Sequence, residues 1–286
     1  IPILLEALGR SNWIAYAIMG VAGAVVIFVS MIMTWVGTAD AHFTQRQVER
    51  PKLLGELTHV FSNRHFLRLL SVKATQLFGV AAVIAAFAFF FTNVMVRDFN
   101  VLALYGIVVG IFGLMSAPIF GAISKSIGKS RTYVISALIN VAAVASWFFV
   151  VPGEPTYMIL MRGALLGIAS TGNVMMAMSM LTDIINYDAV RSGERREGIF
   201  TAFYTFVEKV TFAFGPLVVG VALSFAGFDK SLSPEELQSP AIRQALLMGV
   251  CYIPATMGII SIFILMGYKL TEDDLKAEPV PASEPA

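Results

Sequence analysis

Residues 198–228 of the chain read GIFTAFYTFVEKVTFAFGPLVVGVALSFAGF, an apolar run broken in its interior by one adjacent charged pair, Glu208 and Lys209. About 20 mostly apolar residues suffice to carry a helix across the hydrocarbon core of a bilayer. The run is long enough, and lipid leaves the backbone no partner except itself, so a helix is the form it must take. Working outward, the same reading applies to residues 13–36, 66–96, 101–124, 132–151, 157–187 and 242–270. A membrane barrel would instead show short segments of alternating polarity. The sequence therefore predicts an all-α polytopic membrane protein with about seven spans.

Composition agrees. Hydrophobic residues make up 57% of the chain and charged residues 14%, against about 25% charged in a soluble domain, and such an excess cannot be hidden in one soluble core. The 20 basic and 19 acidic residues nearly cancel, which removes the basic field a nucleic-acid binder uses. The lone cysteine, Cys251, excludes an internal disulfide and multi-cysteine metal sites. It reads as a small buried apolar residue. The sequence holds no P-loop, no HExxH and no Ser-His-Asp set, and His42, His59 and His65 all fall in one polar segment. An enzyme or an ATP-driven pump is not expected, and no cofactor is implied.

Lys and Arg concentrate in alternate connections: Arg46, Arg50, Lys52 and Arg64; then Lys125, Lys129 and Arg131; then Arg191, Arg195 and Arg196. The positive-inside rule makes these connections and the C-terminal tail cytoplasmic. The N-terminus, beginning Ile1-Pro2-Ile3 with no signal peptide, reads as a cut end. Residues 38–65 read as a linker between bundles, with a surface helix near 51–61. Residues 1–37 then hold the last helix of an N-terminal bundle, residues 66–271 a C-terminal six-helix bundle, and residues 272–286 a disordered tail.

Charge inside a span is costly and marks function by default. Glu208 and Lys209 lie about ten residues into their span, near the midplane. Adjacent helical residues do not face each other, so they are not expected to pair: one lines a cavity or both lock helices together. Asp183 shares a face with Asn186 or Tyr187. Beside the turn containing Arg191, Arg195 and Arg196, this stripe suits either an inner gate or a solvated helix end. Gly163, Gly167, Ala169, Ser170 and Gly172 read as a packing surface. Asn173 needs a partner for its amide, a solute or a neighbouring helix. Arg162 is expected to snorkel to the interface. Lys73 and Gln76, near the start of their span, stay open.

Thr182-Asp183-Ile-Ile-Asn186-Tyr187, then Ser192-Gly-Glu-Arg-Arg-Glu-Gly198, then Phe206-Val-Glu208-Lys209, then Gly215, Gly220, Leu223 and Gly227-Phe228 follow one another over about fifty residues. This order resembles the glycoside-pentoside-hexuronide:cation symporters, the melibiose-permease-like branch of the major facilitator superfamily. Residues 121–131 are similar to the superfamily's loop between helices eight and nine, with Lys125 replacing an acid. The resemblance implies helices six to twelve of a twelve-helix carrier that moves a sugar or glycoside with a cation by alternating access. It implies Lys209, with Glu208 and Asn173, as solute-binding candidates, and Asp183, Asn186, Tyr187, Arg191, Arg195 and Arg196 as gating residues. Asn186 replaces an acid of the family motif, and no aromatic stands at 173–174, which weakens a claim for a galactoside. The coupling Na+ or H+ is expected on helices this chain lacks, in the missing N-terminal bundle. The remaining expected partners are a small solute and the bilayer of a bacterial inner membrane. The alternative on the same fold is a carrier of lipid or another amphipathic solute, and a non-transporting receptor is the more distant one.

The topology is open to single-cysteine labelling in a Cys251→Ser background. Cysteines placed in 38–65, 125–131 and 188–197 are expected to resist a membrane-impermeant reagent in intact cells and to react after lysis. Reaction from outside intact cells would reverse the assignment.

Overall fold

The computed structural model describes residues 12–39, 58, 60–194, 196–227, 240–268 and 270. Seven helices within them are long and apolar enough to cross a membrane: α1 Asn12–Gly37, α2 Arg64–Asn93, α3 Phe99–Ile127, α4 Lys129–Phe149, α5 Thr156–Ser192, α6 Glu197–Phe225 and α7 Pro240–Met266. No strand occurs among the described residues. Most of the 38–65 linker, the 272–286 tail and Arg195 lie outside these residues.

Local chemistry explains the ends. Asn63 caps α2, its Oδ1 accepting from the N–H groups of His65 and Phe66 at 3.1 Å each. Gly193, at φ +69°, closes α5 in the left-handed conformation that costs glycine nothing. Helix α5 therefore runs past the expected end at 187 and takes Asp188 and Arg191 into its last turn, which leaves a shorter turn before α6 than the sequence implied. Within α7, Met248–Tyr252 form a π turn in which the Ile253 N–H reaches the Met248 carbonyl. The extra residue precedes Pro254, whose ring cannot donate in an α-helical ladder.

The packing order in space is α3, α5, α4, α7, α2, α6. Helix α1 stands apart, with none of Gly20–Gly37 buried. Two apolar clusters fill the six-helix bundle. One gathers Phe90, Phe91, Tyr105, Trp147, Ile159, Leu246 and Val250. The other gathers Phe66, Leu69, Tyr133, Met176, Met180, Phe200 and Tyr204, with Val60 from the segment before α2. Between them along the helices lies a belt of buried polar groups: Lys73, Ser136, Asn173, Thr211 and Ser261. Cys251 is buried, its Sγ 3.8 Å from the Ala145 carbonyl.

Small residues set the closest approaches. Gly163 lies under the Tyr105 ring, Gly167 on the backbone at Val109, and Gly172 against Ser136 and Phe120, as the packing reading of α5 requires. On α6, Gly215 sits on the backbone of Ala81, where a Cβ has no room. Gly220, which follows Gly215 in the family-like order of residues, does not share this seat: it is exposed, and a Cβ there would meet nothing within 4 Å. Five residues advance a helix by about 140° beyond a full turn, which carries Gly220 away from the Gly215 face.

The asymmetry is testable. Gly215→Val is expected to lower the detergent melting temperature by several degrees, corresponding to about 1–3 kcal/mol of overpacking, while Gly220→Val leaves it unchanged. Equal effects at the two positions would refute the α2–α6 contact.

Candidate functional site

The polar belt centres on Lys73. Its ammonium lies 3.3 Å from Glu208 Oε2 and 4.6 Å from the centre of the Tyr204 ring. Tyr204 and Glu208 are four apart on α6 and so share the face turned to α2. Lys73 is 7% exposed and Glu208 29%. A cation this deep needs a counter-charge, and the ring adds a further cation–π attraction. The other Glu208 oxygen faces outward, 4.0 Å from the Nζ of Lys209, whose side chain is 76% exposed. The expectation that adjacent residues stay apart is thus corrected, because the long lysine side chain bends back toward the carboxylate. Glu208 bridges a buried cation and an exposed one.

Asn173 is not brought to this pair. It is 1% exposed, and its Oδ1 accepts from Ser136 Oγ at 2.7 Å across the α4–α5 contact. Nearby, the Tyr133 hydroxyl donates to Gln76 Oε1 at 2.8 Å. Sequence reasoning left Lys73 and Gln76 open. The signal that could have found Lys73 was depth, since Glu208 is the one acid near the middle of any predicted span and a lone interior base requires such a partner.

At the end bearing the basic connections, Lys129 Nζ donates to both Asp183 oxygens at 2.7 Å and ties α4 to α5. Asp188, buried near the end of α5, lies 3.7 Å from Arg196, which also pairs with Glu194 at 2.6 Å. Arg191 donates to the Tyr187 hydroxyl at 2.5 Å and lies over its ring, and His65 meets that ring edge-on at 5.6 Å. Asn186 is exposed. Residues Asn63, Arg64, His65, Tyr187, Asp188 and Arg191 line a cavity of about 480 Å³ between α2 and the end of α5. Arg191 sits at the negative end of the α5 dipole, where a cation is favoured.

At the opposite end, Arg162 has a partner that the snorkelling reading did not include. Its guanidinium pairs with Glu154 at 2.5 Å and lies 5.1 Å from the centre of the Trp147 ring, while Glu154 is only 5% exposed. Arg97 donates to the Gly153 carbonyl at 2.9 Å and to that of Glu154, clasping the same loop. The buried carboxylate, in the loop before α5, gives Arg162 a counter-charge near the helix end. Among the described residues no group of three or more His, Cys, Asp or Glu is placed to hold a metal ion.

A family model described as MFS/sugar transport protein matches residues 1–272. An uncharacterized symporter of Synechocystis is 24% identical over 78% of this chain and 41% of its own length. A glucuronide carrier protein homolog of Escherichia coli is 23% identical over 91% of this chain and 54% of its own length. A lactose permease of Leuconostoc lactis is 24% identical over 92% of this chain and 40% of its own length. The chain spans about half the length of the relatives it matches.

A double-mutant cycle tests the Lys73–Glu208 pair. Lys73→Met leaves Glu208 without its buried partner and is expected to lower the melting temperature by about 5–10 °C, from a cost of about 3 kcal/mol. Adding Glu208→Gln is expected to restore most of that loss. Strictly additive shifts would show that the two side chains do not interact.

Proposed function

The chain belongs to the MFS/sugar transport protein family, and from that premise we propose that it carries the solute-facing and gating helices of a cation-coupled symporter. The solute is a sugar or glycoside, moved by alternating access between two bundles. The observation that carries the reading is the Glu208–Lys209 edge: an exposed ammonium and a carboxylate held from behind by Lys73. Such an edge offers donors and acceptors together, which suits a polyhydroxylated solute. Lys209 and Glu208 form the solute contact. Asn173, closed over by Ser136, is left out of it.

In this reading the ends of α4 and α5 serve the inner gate. The Lys129–Asp183 and Arg196–Asp188 pairs fix those ends as one unit, while exposed Asn186 and Arg191, with Tyr187 beside them, face the opposing bundle; Arg195, outside the described residues, is counted with the gate from the sequence alone. The excess of Lys and Arg supports placing this end in the cytoplasm of a bacterial cell, with the chain in the inner membrane. Helix α1 belongs with a second bundle, whose helices bind the coupling Na+ or H+ and cover the open α6 face. The names of the relatives, symporters among them with a lactose permease and a glucuronide carrier homolog, support a glycoside over a lipid solute.

Uptake of neutral and acidic glycosides into proteoliposomes under Na+ or H+ gradients tests the proposal in the complete carrier. Lys209→Ala is expected to lower concentrative uptake by about a hundredfold, the loss that follows when a charged partner of a bound group is removed, with an unchanged melting temperature. Normal uptake in that variant would remove Lys209 from the solute site. Binding without uptake by the unsubstituted protein would replace the symporter reading with a receptor.

A further inference from the structure

A crevice of about 860 Å³ opens between the α3–α4 turn and the end of α7, and apart from the Lys129–Asp183 pair in its lining the proposed mechanism makes no use of it. Three cationic side chains line it, Lys125, Lys129 and Arg131, against one carboxylate, Asp183. Lys129 is committed to that carboxylate at 2.7 Å through both oxygens. Lys125 and Arg131 are exposed and have no ion-pair partner among the described residues. The crevice is therefore net basic.

Two further features point to the ligand. Helix α4 starts here after Gly128, at φ +87°, with no side-chain hydrogen bond capping its first turn, and residues 128–131 line the crevice, so first-turn N–H groups without an intrahelical partner lie at it. The Tyr268 hydroxyl, buried and without a hydrogen-bond partner among the described residues, borders the crevice as a further donor. The other wall is apolar: Val134, Ile135 and Met266 line it, and Ile135 and Met266 continue onto the exposed surface of the spans. A soluble anion would use the basic mouth but has no use for an apolar wall that leads into the bilayer.

We propose that this crevice binds an anionic phospholipid, its phosphate held by Lys125, Arg131 and the first-turn amides of α4, and an acyl chain lying along Ile135 and Met266. Basic pockets between helices at the cytoplasmic face suit anionic headgroups, which that leaflet supplies. The inference rests on the proposed orientation of the basic connections. The bound lipid would bridge the α3–α4 turn and the α7 end, beside the Lys129–Asp183 pair.

Native mass spectrometry of the complete carrier tests this, with phosphatidylglycerol and phosphatidylcholine of matched chains added at equal amounts. The unsubstituted protein is expected to retain phosphatidylglycerol about tenfold better. Lys125→Gln with Arg131→Gln is expected to abolish that preference without changing the lipid-free melting temperature, because neither residue carries an ion pair. Should the double variant fold poorly, each single substitution is expected to lower the preference about threefold. Equal retention of the two lipids by the unsubstituted protein would overturn the site, as would a preference that survives the substitutions. Displacement by excess inorganic phosphate would overturn the lipid assignment in favour of a soluble anion. Detergent micelles have no sides, so a negative result counts against the crevice itself, whereas cysteine labelling in cells judges the orientation.

Discussion

The bundle depends on keeping one cation inside it. Lys73 is buried where hydrocarbon surrounds the helices, and an unpartnered charge there would cost several kcal/mol. Glu208 and the Tyr204 ring, both on α6, remove that cost, so the same contact that satisfies Lys73 fixes how α6 lies along α2. The tight seat of Gly215 on Ala81, seven residues further along α6, holds the two helices at the distance the ion pair needs. Sterics and electrostatics thus specify one register between these helices. Lys209, one position on, is turned out of the bundle as a consequence of that register.

The two apolar clusters and the polar belt between them follow one logic. Apolar side chains gain little from meeting each other in lipid, so close approach of small residues and satisfied polar groups must supply the specificity of packing. The Ser136–Asn173 and Gln76–Tyr133 bonds do this across α4–α5 and α2–α4. Ion pairs at the helix ends, Lys129–Asp183 on one side and Glu154–Arg162 on the other, complete the fastening where water is closer.

The seven helices were legible because the bilayer admits few solutions for long apolar runs, and residues 66–96 or 198–228 leave no alternative to a helix. The charged residues of interest were legible too, since Glu208, Lys209 and Asp183 stand out against their surroundings. Their partners were not. Lys129 and Asp183 are 54 residues apart in the chain, and only the meeting of α4 with α5 joins them. The partner of Arg162 was hidden as well, because Glu154 stands in the connection before α5 and nothing in the sequence shows that it is buried. Gly220 stands with Gly215 in the family-like order of residues, although the helical period separates their faces.

Helix α5 has 37 residues, about 55 Å of helix, against a hydrocarbon core of about 30 Å. Even a strong tilt leaves several turns outside the core, and this hydrophobic mismatch falls mainly on the end holding Asp183, Tyr187 and Asp188. The helix-end pairs there stand in the headgroup region or in water, exposed to counterions, while the Lys73–Glu208 pair is shielded by the bilayer. Membrane thickness and ionic strength then act on different parts of one molecule: salt weakens the fastening of the helix ends, and a thinner or thicker bilayer changes how much of α5 projects, with the mid-bundle register left intact.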